Sequence, residues 1–101
     1  MTLEQIHTLL KNTGYPVAYG YFKTEQQLPY ILYRCSYSNN FSADGRVYLP
    51  VQHVQIELYT KLKDQKSEDK VEKALSSIYW EKTEEYIDSE KCYQILYEIE
   101  V

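Results

Sequence analysis

The chain has 101 residues, of which 44% are hydrophobic and 26% charged, so we expect one globular domain spanning residues 1–101. Its formal net charge of -4 and its lack of a basic stripe argue against tight nucleic-acid binding, which depends on Lys and Arg contacts with phosphates. The sequence begins without a charged-then-apolar leader and contains no run long enough to span a bilayer. We therefore expect a protein made in the cytoplasm, with no membrane partner.

Tyrosine and cysteine usage adds two expectations. The 12 tyrosines favour β structure with contact surfaces, because the ring packs while the hydroxyl stays hydrated. Cys35 and Cys92 are isolated from each other in strand-like runs. This spacing predicts reduced packing residues and neither a disulfide scaffold nor a metal site.

The first predicted element is a helix. Thr2 and Gln5 have the spacing of a capping box, and apolar residues then recur at helical spacing. We expect the helix to end near Asn12, because Gly14 can form a left-handed cap and Pro16 prevents continuation. Its apolar stripe consists of Leu3, Ile6, Leu9 and Leu10.

Two strands and a polar loop are predicted next. Residues 17–22 form a short strand candidate that Gly20 weakens, with a bulge as one explanation. Residues 28–37 are apolar on both faces up to Leu32, which is typical of a central strand. Residues 38–46 are rich in Asn, Ser, Asp and Gly, which predicts a loop with its turn at Asp44-Gly45.

A strand and a helix between residues 51 and 80 are predicted to organise the fold. In the strand, Val54, Ile56 and Leu58 alternate with polar residues, so one face is apolar. Ser67 is the expected N-cap of the helix. The helix stripe expected to lie on that strand consists of Val71, Ala74, Leu75 and Ile78.

The C-terminal segments, residues 80–88 and 92–101, are predicted to form a β-hairpin. From residue 81 onward there are seven acids and two bases, a local charge of -5. The predicted fold class is α+β. It has an N-terminal helix, a mostly antiparallel sheet of four to five strands, a second helix on the sheet and a closing hairpin.

No catalytic pattern is found. His7 and His53 have no partner at a metal-binding or nucleophile-base spacing, and no phosphate-binding glycine motif is present. We expect a protein that is not an enzyme and has no metal or cofactor.

Several phrases of the sequence together resemble a known family. They are PVAYGYF, PYILY, SNNFSADGRVY, VQIELYTKLKD, VEKAL and WEKTEEYIDSEKCYQILYEIEV. From about Pro16 to Val101, the chain resembles small head-tail joining or tail-completion proteins, similar to tail terminators, of prophages and long-tailed phages of Gram-positive bacteria. These phrases are structural and contain no active-site signature.

The resemblance implies a role in virion assembly. Such proteins form a ring, commonly a hexamer, at the head-tail junction, where they contact the tail tube protein and the head connector while DNA passes through without tight binding. It implies that the chain is made in the host cytoplasm and works in the virion.

Two surfaces are candidates for this role. The loop residues Asn39, Asn40, Phe41, Asp44 and Arg46 are expected to form a partner interface, since aromatic and guanidinium groups are enriched at interface anchors. A second candidate surface is acidic and is expected to face the lumen or its rim, where it repels DNA phosphates. It consists of Glu84, Glu85 and Glu90.

Two alternatives remain open from the sequence. One is a head-side connector or stopper in the same apparatus. The other, from a different class, is a small cytosolic ligand-binding or regulatory module that uses Tyr and His side chains around a pocket.

Overall fold

The computed structural model describes residues 1–43 and 45–101, with side chains for all of these except residues 41–43, 48 and 49. It contains two helices and seven strands within these ranges. In chain order they are α1 (Leu3–Lys11), β1 (Val17–Tyr19), β2 (Tyr30–Ser38), β3 (Phe41–Ala43), β4 (Arg46–Leu49), β5 (Gln52–Thr60), α2 (Gln65–Ala74), β6 (Glu81–Ile87) and β7 (Cys92–Glu100).

Five of the strands form one mixed sheet in the order β1-β2-β5-β7-β6. The pairings β2 with β5, β5 with β7 and β7 with β6 are antiparallel, and β1 pairs with β2 in parallel. The predicted α+β class and mostly antiparallel sheet are therefore confirmed. Strand β5 occupies the centre, which agrees with the organising role expected for residues 51–60.

The sheet has one face covered by both helices. The predicted alternation in β5 is confirmed, because Val54, Ile56 and Leu58 are completely buried on this face. They pack in one core with Ile6 and Leu10 of α1, Val71 and Leu75 at α2, and the inward residues Ile31, Tyr33, Ile95, Tyr97 and Ile99 of the neighbouring strands. The face with this core is called the helix face below, and the opposite one the open face.

Helix α1 begins and ends as the sequence predicts. Thr2 Oγ1 accepts a hydrogen bond from Gln5 N at 3.1 Å, and Gln5 Oε1 accepts one from Thr2 N at 2.8 Å. This reciprocal pair satisfies two backbone donors that the first helical turn leaves unpaired. Asn12 is the C-cap, and Gly14 has a φ of 85°, a backbone conformation that glycine adopts without a Cβ penalty.

Helix α2 differs from the prediction at both ends. Asp64, and not Ser67, is the N-cap: its Oδ1 accepts from Ser67 N at 3.1 Å and its Oδ2 from Ser67 Oγ at 2.7 Å. The predicted N-cap was wrong because Asp64, three residues earlier, accepts hydrogen bonds from both the backbone N and the hydroxyl of Ser67. The helix ends at Ala74, so Ile78 packs against the core from the following turn.

Two strand predictions also need correction. Strand β1 stops at Tyr19, because Gly20 has a φ of 77°; it ends the strand and does not form a bulge within it. The predicted loop over residues 38–46 is wrong for the backbone of residues 41–43 and 46, because β3 and β4 pair as a separate two-stranded antiparallel sheet. No helix in the part of the chain described here is long and apolar enough to cross a membrane.

Candidate partner interface

The paired strands β3 and β4, with their flanking residues, form a hairpin between β2 and β5 that we call the arm (residues 38–51). Two side chains hold its base. Asn39 Nδ2 donates to Glu100 Oε2 at 2.9 Å, and Asn40 Oδ1 accepts from Val51 N at 3.0 Å. Asn39 N also donates to Val51 O at 2.7 Å, which continues the pairing of the two chain segments into the arm. The arm therefore starts from a fixed base.

A stacked pair lies next to this base. The rings of Tyr37 and His53 are 4.5 Å apart and nearly parallel, at 7°. His53 Nε2 lies 3.0 Å from Glu98 Oε1; because a carboxylate oxygen accepts, Nε2 carries the proton. His53 Nδ1 is buried and has no hydrogen-bond partner among the described residues. The histidine thus couples β2, β5 and β7 where the arm leaves the sheet.

The described side chains of the arm are solvent-exposed, except that of Val51, which is half-buried. They include Arg46 and Val47, of which Val47 is 57% exposed, and both asparagines at the base. Asn39 and Asn40, expected at a partner interface, already bind within the chain. Arg46 is on the arm in strand β4, and its role at a partner interface stays a prediction. The Phe41 side chain and Asp44 lie outside the described residues.

The open face of the sheet bears half-buried apolar side chains. Tyr30 and Leu32 of β2, Tyr59 of β5 and Leu96 of β7 are all on this face by the strand register. Polar groups are interspersed with them: Tyr59 Oη donates to Glu57 Oε1 at 3.2 Å and accepts from Gln94 Nε2 at 2.9 Å. Apolar area left at a surface in this way is typical of a contact site.

The segment between β1 and β2 encloses one end of the open face. Together they form a groove of about 620 Å³. Phe22 packs edge-on against Tyr30 with ring centroids 5.3 Å apart, and Tyr30 packs against Tyr59 at 5.1 Å. The groove is lined by Tyr21, Phe22, Lys23, Thr24, Glu25, Gln26, Leu28, Tyr30, Leu32, Tyr59, Ile87, Glu90 and Cys92.

Two phenols of this groove, those of Tyr30 and Tyr59, keep their protons at neutral pH. Burial raises the pKa of Tyr59 from 10.0 to about 12, and it also raises the pKa of Tyr30, with the charges of Cys92 and Glu90 adding to the effect. Both hydroxyls therefore remain able to donate hydrogen bonds. The groove has aromatic walls, two carboxylates and one ammonium, an arrangement suited to a cationic or amphipathic group.

The three acids predicted to line a lumen do not share one surface. Glu84 is opposite Ile95 in the register and so belongs to the helix face, where its Oε1 accepts from Lys63 Nζ at 2.6 Å. Glu85 is opposite Gln94 on the open face. Glu90 is in the turn that follows β6, at the groove. The chain therefore does not present these three carboxylates on one surface.

Sequence reasoning missed a network of ion pairs around the buried Glu68 of α2. Glu68 is 1% exposed and lies between two ammonium groups, 2.6 Å from Lys63 Nζ and 3.1 Å from Lys82 Nζ. Lys82 also contacts Glu72 at 2.6 Å, and the buried Tyr97 hydroxyl donates to Glu72 at 2.7 Å. Hydrogen bonds to these carboxylates raise the pKa of both lysines. The network attaches α2 to the C-terminal hairpin.

The described residues offer no evident metal site. Within residues 1–43 and 45–101, no group of three or more His, Cys, Asp and Glu side chains could hold a metal ion. His7 Nδ1 instead lies 3.0 Å from the Tyr33 hydroxyl. Cys35 and Cys92 are both free thiols, as the sequence predicts, and the strand register puts them on opposite faces.

Comparison with known proteins gives no family. No protein-family model matches the chain, and no curated protein matches it either.

One feature of the sequence indicates the apolar open face on which the groove lies. In residues 28–37 and 92–101 the strand face opposite the core also carries large apolar side chains, notably Leu32 and Leu96. A strand whose two faces are both apolar has a second face to cover. The sequence carried no comparable signal for the closure of the groove by residues 21–28, which depends on how the chain folds back.

Proposed function

We propose that this chain is a non-enzymatic virion assembly protein that completes phage tails and joins them to heads, acting as a ring-forming subunit at the head-tail junction. Its partners in this role are copies of itself, the tail tube protein and the head connector. DNA passes the ring without tight binding, in keeping with the net charge of -4.

The observation that carries the proposal is the arm. The described side chains of the arm are exposed apart from half-buried Val51, and none of them belongs to the hydrophobic core, yet the base of the arm is held by hydrogen bonds involving Asn39 and Asn40. Exposed surface that lies away from the core and starts from a hydrogen-bonded base favours binding to a partner, since ordering beforehand lowers the entropy cost of association. The resemblance of residues 16–101 to tail-completion proteins supports the same role.

The proposal is tested by electron microscopy of particles from a phage whose copy of this gene carries a nonsense mutation. We expect overlong or unattached tails beside filled heads, and restored joining when the purified protein is added. Heads that lose their DNA, with tails of normal length, would instead identify a head-side connector or stopper. Normal virions would overturn the assembly role.

A ligand-binding module is a second candidate, and the groove of about 620 Å³ with its tyrosine walls favours it. This alternative requires a stable monomer that retains a small molecule on purification. Native mass spectrometry of the purified chain distinguishes the two functions, because a retained ligand appears as a fixed mass increment.

A further inference from the structure

We infer, on the basis of the proposed ring assembly, that the arm of one copy docks in the open-face groove of the next, with Arg46 directed toward the carboxylate of Glu90. The groove is thus the acceptor and the arm the donor of a single repeated contact.

The first argument is the position of the two surfaces. The paired strands β2 and β5 run from the groove to the arm. The pair Tyr30 and Tyr59 lies at the groove end, and the pair Ser38 and Gln52 lies at the arm end. Eight residue steps along an antiparallel strand cover about 27 Å. Because about 27 Å separates the two sheet ends, the arm starts far from the groove of its own chain, and we expect the arm that fills the groove to belong to another copy.

The second argument is chemical complementarity. Arg46 is the only cation between residues 38 and 51, it is exposed, and its neighbour Val47 exposes an apolar side chain. The groove offers aromatic rings with the carboxylates of Glu25 and Glu90, against one lysine, Lys23. A guanidinium stacks on aromatic rings and pairs with carboxylates, and the groove offers both. Arg46 of the arm therefore matches the groove in chemistry.

The third argument concerns symmetry. A contact between two different surfaces of the same chain is heterologous, and repeated contacts of this kind close into rings when the rotation permits. The arm and the groove are two such different surfaces. Stable interfaces bury roughly 1,000 Å² or more, and we expect one hairpin in one groove to bury less, which gives weak association in dilute solution and a stable ring only on a tail.

The contact is tested by photo-crosslinking of the full chain. A benzophenone amino acid replaces Val47, and the variant is irradiated both as concentrated purified protein and within particles from a complemented deletion phage. We expect covalent dimers whose crosslinked peptides map to residues 21–32 or 87–92. The same probe at Lys66, exposed on helix α2, serves as the control and is expected to give no crosslinks to these peptides.

Charge reversal supplies the second measurement. Arg46→Glu is expected to lower the yield of these dimers roughly tenfold, as for a close pair of like charges, and Glu90→Arg in the same chain is expected to restore it. Lys66→Glu changes the net charge equally and is expected to leave the yield unchanged.

The outcomes separate this contact from the proposed function. Particles that incorporate the protein and join normally, with crosslinks from position 47 only to other peptides or to other proteins, would overturn the arm-groove contact and leave the assembly role intact. Normal virions from the deletion phage would overturn the assembly role. Absence of the arm-groove crosslink from both samples would refute the contact whatever the protein does.

Discussion

Glu68 Oε1 accepts a hydrogen bond from Lys82 Nζ at 3.1 Å, which joins helix α2 to the outermost strand β6. The carboxylate is 1% exposed and its second oxygen lies 2.6 Å from Lys63 Nζ. A carboxylate this deeply buried is tolerated because two cations compensate its lost hydration. Glu68 therefore helps to fix the position of the acidic C-terminal hairpin relative to α2, together with Glu72 and the packing of the core.

Removing that charge should destabilise the fold. Glu68→Gln keeps the shape of the side chain but deprives Lys63 and Lys82 of their shared carboxylate, and we expect a loss of about 2 kcal/mol in the free energy of unfolding. The loss is moderate because Lys63 and Lys82 are 48% and 33% exposed and regain water. Urea denaturation followed by circular dichroism measures it.

Glu85, exposed on strand β6, is the matched control, and Glu85→Gln should change stability by less than about 0.5 kcal/mol. Equal stabilities for the Glu68 and Glu85 variants would contradict a structural role for the network.

The N-cap of α2 should make stability depend on pH in the acid range. Hydrogen bonds from Ser67 lower the pKa of Asp64 below 3.8. Because the folded pKa is depressed, the cap contributes fully above the unfolded pKa and its contribution is lost as pH falls through the folded value. Asp64→Ala should cost about 1 kcal/mol at pH 7, and Asp64→Asn little, since asparagine also caps helices.

The decisive comparison is urea denaturation at pH 7 and pH 3. The stability difference between wild type and Asp64→Ala should shrink at pH 3. A difference that is the same at both pH values would show that the Asp64 carboxylate does not provide the cap.

A tyrosine of the open face should produce a pH effect at the alkaline end. Burial raises the pKa of Tyr59 from 10.0 to about 12, so its stabilising contribution is present below pH 10 and is lost as pH rises toward 12. Tyr59→Phe removes the hydrogen bonds to Glu57 and Gln94 and should cost about 1 kcal/mol at pH 8.

The stability difference between Tyr59→Phe and wild type should then narrow between pH 10 and pH 12 in urea titrations. A constant difference over this range would mean that the phenol ionises equally in the folded and unfolded chains.

Removing the side-chain hydrogen bonds at the base of the arm should speed local opening of the arm without unfolding the domain. In the double variant Asn39→Ala, Asn40→Ala, Glu100 loses one hydrogen bond and Val51 N another. Since both asparagines are exposed, we expect a change of less than about 1 kcal/mol in global stability but several-fold faster amide hydrogen exchange in residues 38–52.

Asn12→Ala, at the exposed end of α1, is the control for loss of an asparagine and should leave exchange in the arm unchanged. Unchanged exchange in the double variant would show that the backbone pairing alone holds the arm.

The local signals of the sequence predicted the helices and strands well. The capping box of Thr2 and Gln5, the alternation around Ile56 and the closing hairpin are all present in the structure, because each depends on residues close together in the chain. The predicted N-cap of α2, Ser67, was wrong by three residues. Aspartate and serine both favour this position, and in the structure Asp64 occupies it.

The candidate site was predicted only in part. The sequence pointed to residues 38–46 as exposed, and their described side chains are exposed, but it did not predict that Asn39 binds Glu100 across 61 positions. It also grouped Glu84, Glu85 and Glu90 by charge, whereas alternation along β6 separates Glu84 from Glu85. Charge counts along a strand ignore which face each side chain occupies.

The sequence by itself determined the class of fold, the direction of the apolar face of β5 and the places where the chain turns, because periodicity and turn chemistry are local properties. Only the tertiary structure decided the strand order β1-β2-β5-β7-β6, the burial of Glu68 between two lysines and the groove at the end of the open face. These features arise from contacts between segments far apart in the chain. Their free energy comes from burial and charge pairing, which no single stretch of sequence contains.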